Sequence, residues 1–202
     1  QPTYNGVALL YRKEAGYVPD GVQLNNPLHE DVQRRLVSAR FQTAAGPVRV
    51  IGAYFPNGQA VGSEKYVYKL GWIASLQEWI AQLRREEPDT GGILAGDFNI
   101  APADADVHDP AVWADGILVS GPERQALQGL LALGGLHDAF RLFEQPPKLF
   151  SWWDYRALGF RRNAGLRIDL ILVSDELKQM VGRCWIDKGP RKLEKPSDHT
   201  PV

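Results

Sequence analysis

The sequence predicts an α/β fold, because short strand-like runs alternate with helical patterns along its 202 residues. Two β-rich runs at residues 36–42 and 48–54 precede an amphipathic helix over residues 65–85, and a further short strand follows in the stretch 91–100. The apolar fraction of 44% is ordinary for a globular protein, and the length suits one substantial core. We therefore expect a single domain over residues 1–202.

The first elements are predicted from β-branched and aromatic residues bounded by turn residues. A turn at residues 4–6 precedes an apolar run at residues 6–12, which predicts an opening strand. The runs at residues 36–42 and 48–54 are joined by Thr-Ala-Ala-Gly-Pro, which predicts a hairpin. The second run of this hairpin places Tyr54 and Asn57 at its carboxyl end.

The helix at residues 65–85 is predicted from one apolar stripe whose members are three and four residues apart. Trp72 and Trp79 lie seven residues apart, share a face and are expected to pack in the core. Pro88 and Asp89 end the helix, and the chain returns through glycines to the next strand. The stripe consists of Leu70, Ile73, Leu76, Ile80 and Leu83.

The stretch at residues 91–100 is predicted to be a short buried strand whose end, Gly-Asp-Phe-Asn, places a carboxylate and a carboxamide two residues apart. Residues i and i+2 of a strand share a face, so Asp97 and Asn99 can converge on one point while Phe98 packs inward. Gly96 permits the close approach of another backbone or a ligand. The alternative is an ordinary strand followed by an Asx turn.

Two further segments follow. Residues 101–110 contain Asp104, Asp106, His108 and Asp109 but lack the glycine and glutamate of a calcium loop, and two prolines favour an extended, exposed path. Ser120 and Glu123 have capping-box spacing and begin a helix that runs to residue 133 and is stopped by two glycines.

A second polar cluster, Ser197-Asp198-His199, lies near the end of the chain, and Asp169 interrupts an Ile, Leu and Val run. A buried carboxylate needs a partner, and an Asp that holds a His through one ring nitrogen is a common device for acid–base chemistry. We expect Asp169 to hold His199.

Bulk properties narrow the setting. No apolar run is long enough to span a membrane, no signal-peptide pattern is present, and the one cysteine, Cys184, fits a reducing, cytoplasmic compartment. The net charge of −1 argues weakly against DNA binding, although residues 151–202 contain ten basic and seven acidic side chains. Such an excess is usually a solvated surface.

The ordered motifs resemble the exonuclease III family of abasic-site repair nucleases, within the endonuclease/exonuclease/phosphatase fold. The resemblance spans nearly the whole chain, and it implies a deoxyribonuclease I-like, four-layered α/β sandwich of two stacked mixed sheets flanked by helices. It rests on Gly-Asp-Phe-Asn and Ser-Asp-His, and more specifically on segments at residues 53–58, 122–125, 136–141, 151–156 and 165–169.

This resemblance implies a nuclease that acts on double-stranded DNA as a monomer, cleaving 5′ to abasic sites and removing nucleotides from 3′ ends. The implied cofactor is Mg²⁺, with Mn²⁺ as a second option, and whether Asp97 or His199 is the base stays open. The implied catalytic residues are Tyr54, Asp97, Asn99, Asp169 and His199, the metal ligands are Asp97, Asn99, Asp198 and His199, and the DNA contacts are Asn57, Trp152, Arg161, Asn163, Leu166 and Ile168.

In the resembled family an opening segment carries an Asn and a Glu that help to hold the metal, and a last strand closes the fold. Neither residue is matched here, so we expect the chain to be a fragment of a longer protein. Two other functions stay open: a phosphoesterase of the same fold acting on lipid or inositol phosphates, and a catalytically impaired DNA-binding fragment.

Overall fold

A six-stranded mixed sheet forms the centre of the fold in the computed structural model, which describes residues 6–202. Its strand order is β1-β2-β3-β4-β8-β5, in which β3 and β4 are parallel and every other neighbouring pair is antiparallel. β6 and β7 form a separate antiparallel pair. The strands are β1 Pro19–Leu24, β2 Leu36–Thr43, β3 Gly46–Tyr54, β4 Gly91–Asp97, β5 Leu136–Asp138, β6 Trp152–Trp153, β7 Gly165–Leu166 and β8 Asp169–Ser174.

Two long helices cover one face of the large sheet and enclose the main apolar core. The first helix buries Trp72 and Trp79 against the sheet, as the spacing of its apolar residues predicts. The predicted α/β class, with two sheets and flanking helices, is confirmed. The helices are α1 Glu64–Glu86, α2 Pro110–Trp113, α3 Gly121–Gly134, α4 Gly159–Arg162 and α5 Asp175–Lys178.

The predicted boundaries of the hairpin and of the two long helices agree with the structure. The hairpin of β2 and β3 forms with its turn at the predicted residues. Ser63 caps α1, and the capping box of Ser120 and Glu123 opens α3. Gly135, in the left-handed conformation at φ 54°, ends α3.

The strand predicted at residues 6–12 is wrong. These residues are irregular and lead into a 3₁₀ turn at Lys13–Ala15, while the turn predicted at residues 4–6 begins outside the described residues. β1, which the sequence analysis did not predict, takes the sheet position beside β2. Leu9 instead lies over Gly52 of β3, and Leu10 is 95% exposed. Composition alone therefore did not decide which segment pairs with β2.

The loop predicted to be extended and exposed at residues 101–110 is also different. It contains a 3₁₀ turn at Asp104–Asp106, and the Asp106 carboxylate is almost fully buried. Asp106 Oδ1 accepts from Arg167 Nε at 2.6 Å and also pairs with Arg141. Because these arginines come from distant segments, the ion pair was not visible in the sequence.

The short sheet of β6 and β7 packs against the segment that carries the second polar cluster, through a bridge between Trp152 and His199. Trp153 is fully buried. Among the described residues, no helix has the length and apolar character needed to cross a bilayer.

Candidate active site

Three polar side chains lie side by side across neighbouring strands. Tyr54, at the end of β3, pairs in register with Asp97, at the end of β4, and Asp97 pairs with Asp169, the first residue of β8. Parallel strands bring their carboxyl ends to one edge, and an antiparallel neighbour brings its amino end to the same edge. The sheet therefore brings together residues that are remote in the chain: Tyr54 and Asp169, at the two ends of the row, are 115 positions apart.

The turn after β4 aims the Asp97 carboxylate. Gly96 has φ 146°, and a Cβ there would lie 1.9 Å from the Ala53 carbonyl oxygen, so the position requires glycine. Asp97 Oδ1 accepts from the Asn99 backbone N at 2.8 Å, which is an Asx turn, and Oδ2 accepts from Asn99 Nδ2 at 3.1 Å. Of the two alternatives from the sequence, the structure has the Asx turn: β4 ends at Asp97, and the turn rather than strand alternation brings Asn99 beside it.

His199 is held by Asp169. Its Nδ1 lies 2.9 Å and 3.0 Å from the two Asp169 carboxylate oxygens, and its Nε2 lies 3.9 Å from Asp97 Oδ2. A carboxylate accepts hydrogen bonds, so Nδ1 carries the donated proton. The imidazole is thus fixed between two carboxylates, with Nε2 directed toward Asp97.

The electrostatics of this cluster shift two pKa values. Burial, followed by the negative charge of Asp169, raises the pKa of Asp97 to about 7, against the opposing charge of His199. Burial acts to lower the pKa of His199, but the hydrogen bond and charge of Asp169, with further carboxylate charges, outweigh it and raise that pKa to about 9. At neutral pH the imidazole is therefore cationic, while Asp97 is close to its titration midpoint.

Tyr54 faces the same cluster. Burial and the charge of Asp97 raise the pKa of Tyr54, so the phenol keeps its proton at neutral pH. The guanidinium of Arg35 lies over the ring, 5.1 Å from its centroid, and donates to the Tyr54 backbone oxygen at 3.3 Å. A groove of about 780 Å³ opens beside this pair, lined by Gln33, Arg35, Tyr54, Asn57, Lys65 and Tyr68 among others.

Asp198 is positioned by the short sheet. Its Oδ2 accepts from Trp152 Nε1 at 3.0 Å, and its backbone oxygen accepts from Trp153 N at 3.0 Å. The negative charge of Asp198 contributes to the raised pKa values of Tyr54 and His199. The indole of Trp152 thus orients a carboxylate that the sequence alone places only on a loop.

The donor chemistry of the site fits a hard divalent cation in part. Asp97 and Asp198 offer carboxylate oxygens, and the raised pKa of Asp97 marks an excess of negative charge that a cation would offset. Asn99 Oδ1 accepts from Asn57, and His199 Nδ1 is bound to Asp169. Within residues 6–202 no group of three or more His, Cys, Asp or Glu side chains converges as a metal site. Metal ligation by Asp97, Asn99, Asp198 and His199 stays a prediction.

The residues predicted to contact DNA fall into two groups. Asn57 is exposed beside Tyr54, and its Nδ2 donates to Asn99 Oδ1 at 3.1 Å. Leu166 and Ile168 are 0% and 2% exposed, and they pack in one apolar cluster against a half-buried Trp152. The structure brings these three apolar residues together.

Arg161 and Asn163, the other two predicted DNA contacts, lie in a short helix and its cap. Arg161 belongs to α4 and is exposed. Asn163, in the left-handed conformation, accepts from Trp153 Nε1 at 3.3 Å and donates to the Lys148 backbone oxygen at 3.0 Å. Its amide therefore supports the fold of this region.

Sequence reasoning missed several residues that position the site. Ser151 Oγ accepts from the backbone N of Ile168 and of Asp169, at 3.1 and 3.0 Å, and so fixes the start of β8. Lys69 is fully buried and donates to the backbone oxygens of two site loops. Its signal in the sequence was a lysine on the apolar face of α1, on the same face as Trp72 and Ile73.

Known proteins resemble this chain over almost all of its length. The model of the endonuclease/exonuclease/phosphatase family matches residues 1–199. Exodeoxyribonuclease III of Haemophilus influenzae is 37% identical over 210 residues, a match that covers 100% of this chain and 76% of that protein.

Two solved structures have the same fold. A 3′-5′ exonuclease from Neisseria meningitidis superposes with a TM-score of 0.83 at 41% identity, covering 91% of this chain and 70% of the other. An AP (abasic-site) endonuclease from Archaeoglobus fulgidus superposes with a TM-score of 0.81 at 31% identity, covering 91% of this chain and 69% of the other.

Proposed function

This chain belongs to the endonuclease/exonuclease/phosphatase family, on the branch of exodeoxyribonuclease III, and from that premise we propose that it is a DNA repair nuclease. Its substrate is double-stranded DNA, which it hydrolyses 5′ to abasic sites and from 3′ ends. The observation that carries this proposal is the row of Tyr54, Asp97 and Asp169 at one sheet edge, with His199 held between the two carboxylates.

Asp97 is the base in this proposal. Hydrolysis of a phosphodiester requires a water in line with the leaving O3′ and a group that takes its proton. A general base works best when its pKa lies near the working pH, and burial with the charge of Asp169 raises the pKa of Asp97 to about 7. The water oxygen bonds to phosphorus while Asp97 takes the proton from the water. The P–O3′ bond breaks, and the departing O3′ takes a proton from solvent water to become a hydroxyl.

His199 and Tyr54 bind the phosphate. With its pKa raised to about 9, His199 carries a positive charge at neutral pH and donates through Nε2, which makes it poorly suited to act as the base. Asp169 keeps that imidazolium oriented. The protonated phenol of Tyr54 is a second donor at the same edge. Donors that are already in place stabilise the charge that develops on the phosphoryl oxygens.

Asn99 acts on Asp97. Its backbone N and its Nδ2 donate to the two oxygens of the Asp97 carboxylate. Its Nδ2 also donates to the Phe55 backbone oxygen, which ties the end of β4 to the end of β3. We assign Asn99 the orientation of the base, beside its predicted role as a stabiliser of the transition state.

The cofactor we propose is Mg²⁺, with Mn²⁺ able to replace it. The carboxylates of Asp97 and Asp198 would hold it, since hard oxygen donors suit both ions. When bound, the cation polarises the phosphoryl oxygen and neutralises charge on the leaving group.

The apolar cluster beside the site is the proposed lesion pocket. A nucleotide without its base costs least to extrude, and a small apolar surface is enough to receive it. Trp152, Leu166 and Ile168 lie together at the edge of the site, and Trp152 is the member that is half exposed. Asn57, Arg161 and Asn163 are proposed contacts to the DNA backbone. We further propose that the protein acts as a monomer in a reducing compartment of the cell.

Cleavage of two labelled duplexes tests the function. One carries a single abasic analogue, the other a recessed 3′ end, and each is incubated with Mg²⁺, with Mn²⁺ and with EDTA. We expect incision just 5′ to the analogue and stepwise loss of 3′ nucleotides with either cation, and no product with EDTA.

Each other outcome has a definite meaning. Binding without cleavage at any cation concentration would support the catalytically impaired DNA-binding protein. Release of phosphate from inositol phosphates, with both duplexes intact, would support the phosphoesterase. Cleavage that persists in EDTA would contradict the proposed role of the cation.

A further inference from the structure

A buried ion pair lies directly behind the candidate site. Lys69 of α1 and Glu123 of α3 both have side chains that are 0% exposed, and the Lys69 ammonium pairs with Glu123 Oε1. Two buried charges are costly to desolvate, and such a pair often stabilises a fold no better than two apolar residues would. A buried pair at this place therefore calls for a reason beyond stability.

The Glu123 carboxylate also accepts hydrogen bonds from groups other than Lys69. Its Oε2 accepts from the backbone N of Ser120 at 3.1 Å and from Ser120 Oγ at 2.7 Å, and its Oε1 also accepts from the backbone N of Leu118 at 3.2 Å. The Ser120 hydroxyl is itself 2.6 Å from the Tyr66 hydroxyl. The carboxylate is thus a rigid anchor for the ammonium.

The other hydrogen bonds of Lys69 go to the two loops of the site. Its Nζ donates to the Asn99 backbone oxygen at 2.7 Å and to the Asn57 backbone oxygen at 3.2 Å. These loops follow β4 and β3, and they are also joined by the bond between the Asn57 and Asn99 side chains. One ammonium therefore ties together the ends of the two parallel strands.

The conformation of Asn99 needs such support. Its φ of 50° lies in the left-handed region, which residues other than glycine adopt at a cost and keep only where their surroundings hold them. Asn99 in turn supplies both of the hydrogen bonds that orient the Asp97 carboxylate. A change in the Asn99 backbone conformation would therefore change the orientation of the Asp97 carboxylate.

We propose that Lys69 is a positioning residue for the reaction: anchored by Glu123, its ammonium holds the Asn57 and Asn99 loops so that Asn99 can orient Asp97. The inference rests on the proposed nuclease function for its effect on turnover. Its effect on the two loops is independent of that function.

The test separates positioning from stability. Lys69→Met and Glu123→Gln each leave one buried charge without its partner, whereas the double variant removes both charges. We expect each single variant to melt at a lower temperature than the wild type, and the double variant to recover most of the loss. Its kcat on the recessed 3′ end should nevertheless stay about 10- to 100-fold below wild type, with KM changed by less than about threefold.

A matched ion pair serves as the control. Arg49 of β3 is also buried and pairs with Glu87 at 2.5 Å, but its remaining hydrogen bonds go to the Gly21 oxygen and to Ser38. Arg49→Met/Glu87→Gln should melt at a temperature close to that of Lys69→Met/Glu123→Gln, while its kcat stays within about twofold of wild type.

Hydrogen exchange supplies the readout that needs no activity. Peptides that cover residues 55–59 and 97–101 should exchange faster in the Lys69→Met/Glu123→Gln variant than in the wild type, and at the wild-type rate in the control. Should Lys69→Met fail to fold, the double variant decides alone. Should that fail too, Lys69→Arg, which keeps the charge but changes the donor geometry, is expected to give the same faster exchange.

Recovery of kcat together with melting temperature in the double variant would overturn the proposal, and so would unchanged exchange in both peptides. If the wild-type chain cleaves neither duplex, the nuclease function fails, and the exchange result still decides whether Lys69 holds the loops.

Discussion

The two halves of the candidate site are built in different ways. The strand half, Asp97 to Asn99, lies at the end of β4, and both Asp97 oxygens and the Asn99 amide are bonded within the fold. The loop half, Asp198 and His199, lies on irregular chain between α5 and the end, and contacts with Trp152, Trp153 and Asp169 position it. The hydrogen bonds that orient Asp97 in the strand half are local, although Phe55 and Lys69 also hold Asn99. The loop half is positioned by contacts with distant segments.

This difference fits the two roles. A base must keep its direction throughout the reaction, because a small displacement of a reacting group is costly. A phosphate-binding group can adjust with its ligand, and a half-exposed loop allows that. Substitution of the base in the strand half should therefore abolish most of the turnover. Substitutions around the loop half should lower turnover by smaller factors.

The largest effect is expected from Asp97→Asn, which keeps the shape of the side chain but removes the base. Turnover on abasic duplex should fall by about 10³-fold or more, which is about 4 kcal/mol in the barrier. The melting temperature should not fall, since the substitution removes repulsion between Asp97 and Asp169. Single-turnover kinetics and thermal melting measure both quantities.

The exposed residue Asp89 provides the control for that experiment, and Asp89→Asn should leave turnover unchanged. An Asp97→Asn variant that retains more than about a tenth of wild-type turnover would exclude Asp97 as the base and favour His199.

An intermediate effect is expected from Asp169→Ala, which releases His199 from its partner. Turnover should fall by about 10²-fold while DNA affinity changes by less than about threefold, because the imidazole loses its orientation and charge but remains near the phosphate. Asp169→Ala/His199→Ala should be no slower than His199→Ala alone, because the two residues act as one unit. Equal losses of turnover and affinity in Asp169→Ala would contradict this assignment.

The smallest effect is expected from Trp152→Phe, which keeps the ring and removes the indole N–H that binds Asp198 Oδ2. Loss of one such hydrogen bond is worth about 1 to 2 kcal/mol, so turnover should fall by about 10-fold and more Mg²⁺ should be needed for half-maximal rate. A Mg²⁺ titration measures this. Trp185→Phe, at a tryptophan that is 52% exposed, is the control and should behave as wild type. An unchanged Mg²⁺ requirement in Trp152→Phe would contradict the proposal that Asp198 binds the cation.

Local signals in the sequence predicted much of the fold. The hairpin, the two long helices, the capping box of the second helix and the strand before Asn99 follow from turn residues, apolar spacing and capping residues, all of which act within a few positions. The one wrong strand, at residues 6–12, had the composition of a strand, but β1 takes the position beside β2.

The site was predicted in its residue types, and the hydrogen bond between His199 and Asp169 has the expected geometry. Three features were beyond reach of the sequence. The burial of Asp106 depends on Arg167, the direction of Asp198 depends on Trp152, and the tie between the site loops depends on Lys69. Lys69 lies 12 positions from Asn57 and 30 from Asn99, and the other two partners are 46 and 61 positions away, so no local pattern could join them.

The sequence by itself determined the hairpin, the two long helices and the strand that carries Asp97, because those elements depend on neighbours along the chain. Only the tertiary structure decided that Tyr54, Asp97 and Asp169 form one row. It also decided that His199 is positively charged at neutral pH, because its pKa is raised to about 9, and that the buried Lys69 supports the site. The physical reason is that register, burial and charge interactions depend on distances in space, and folding sets those distances between residues that are remote in sequence.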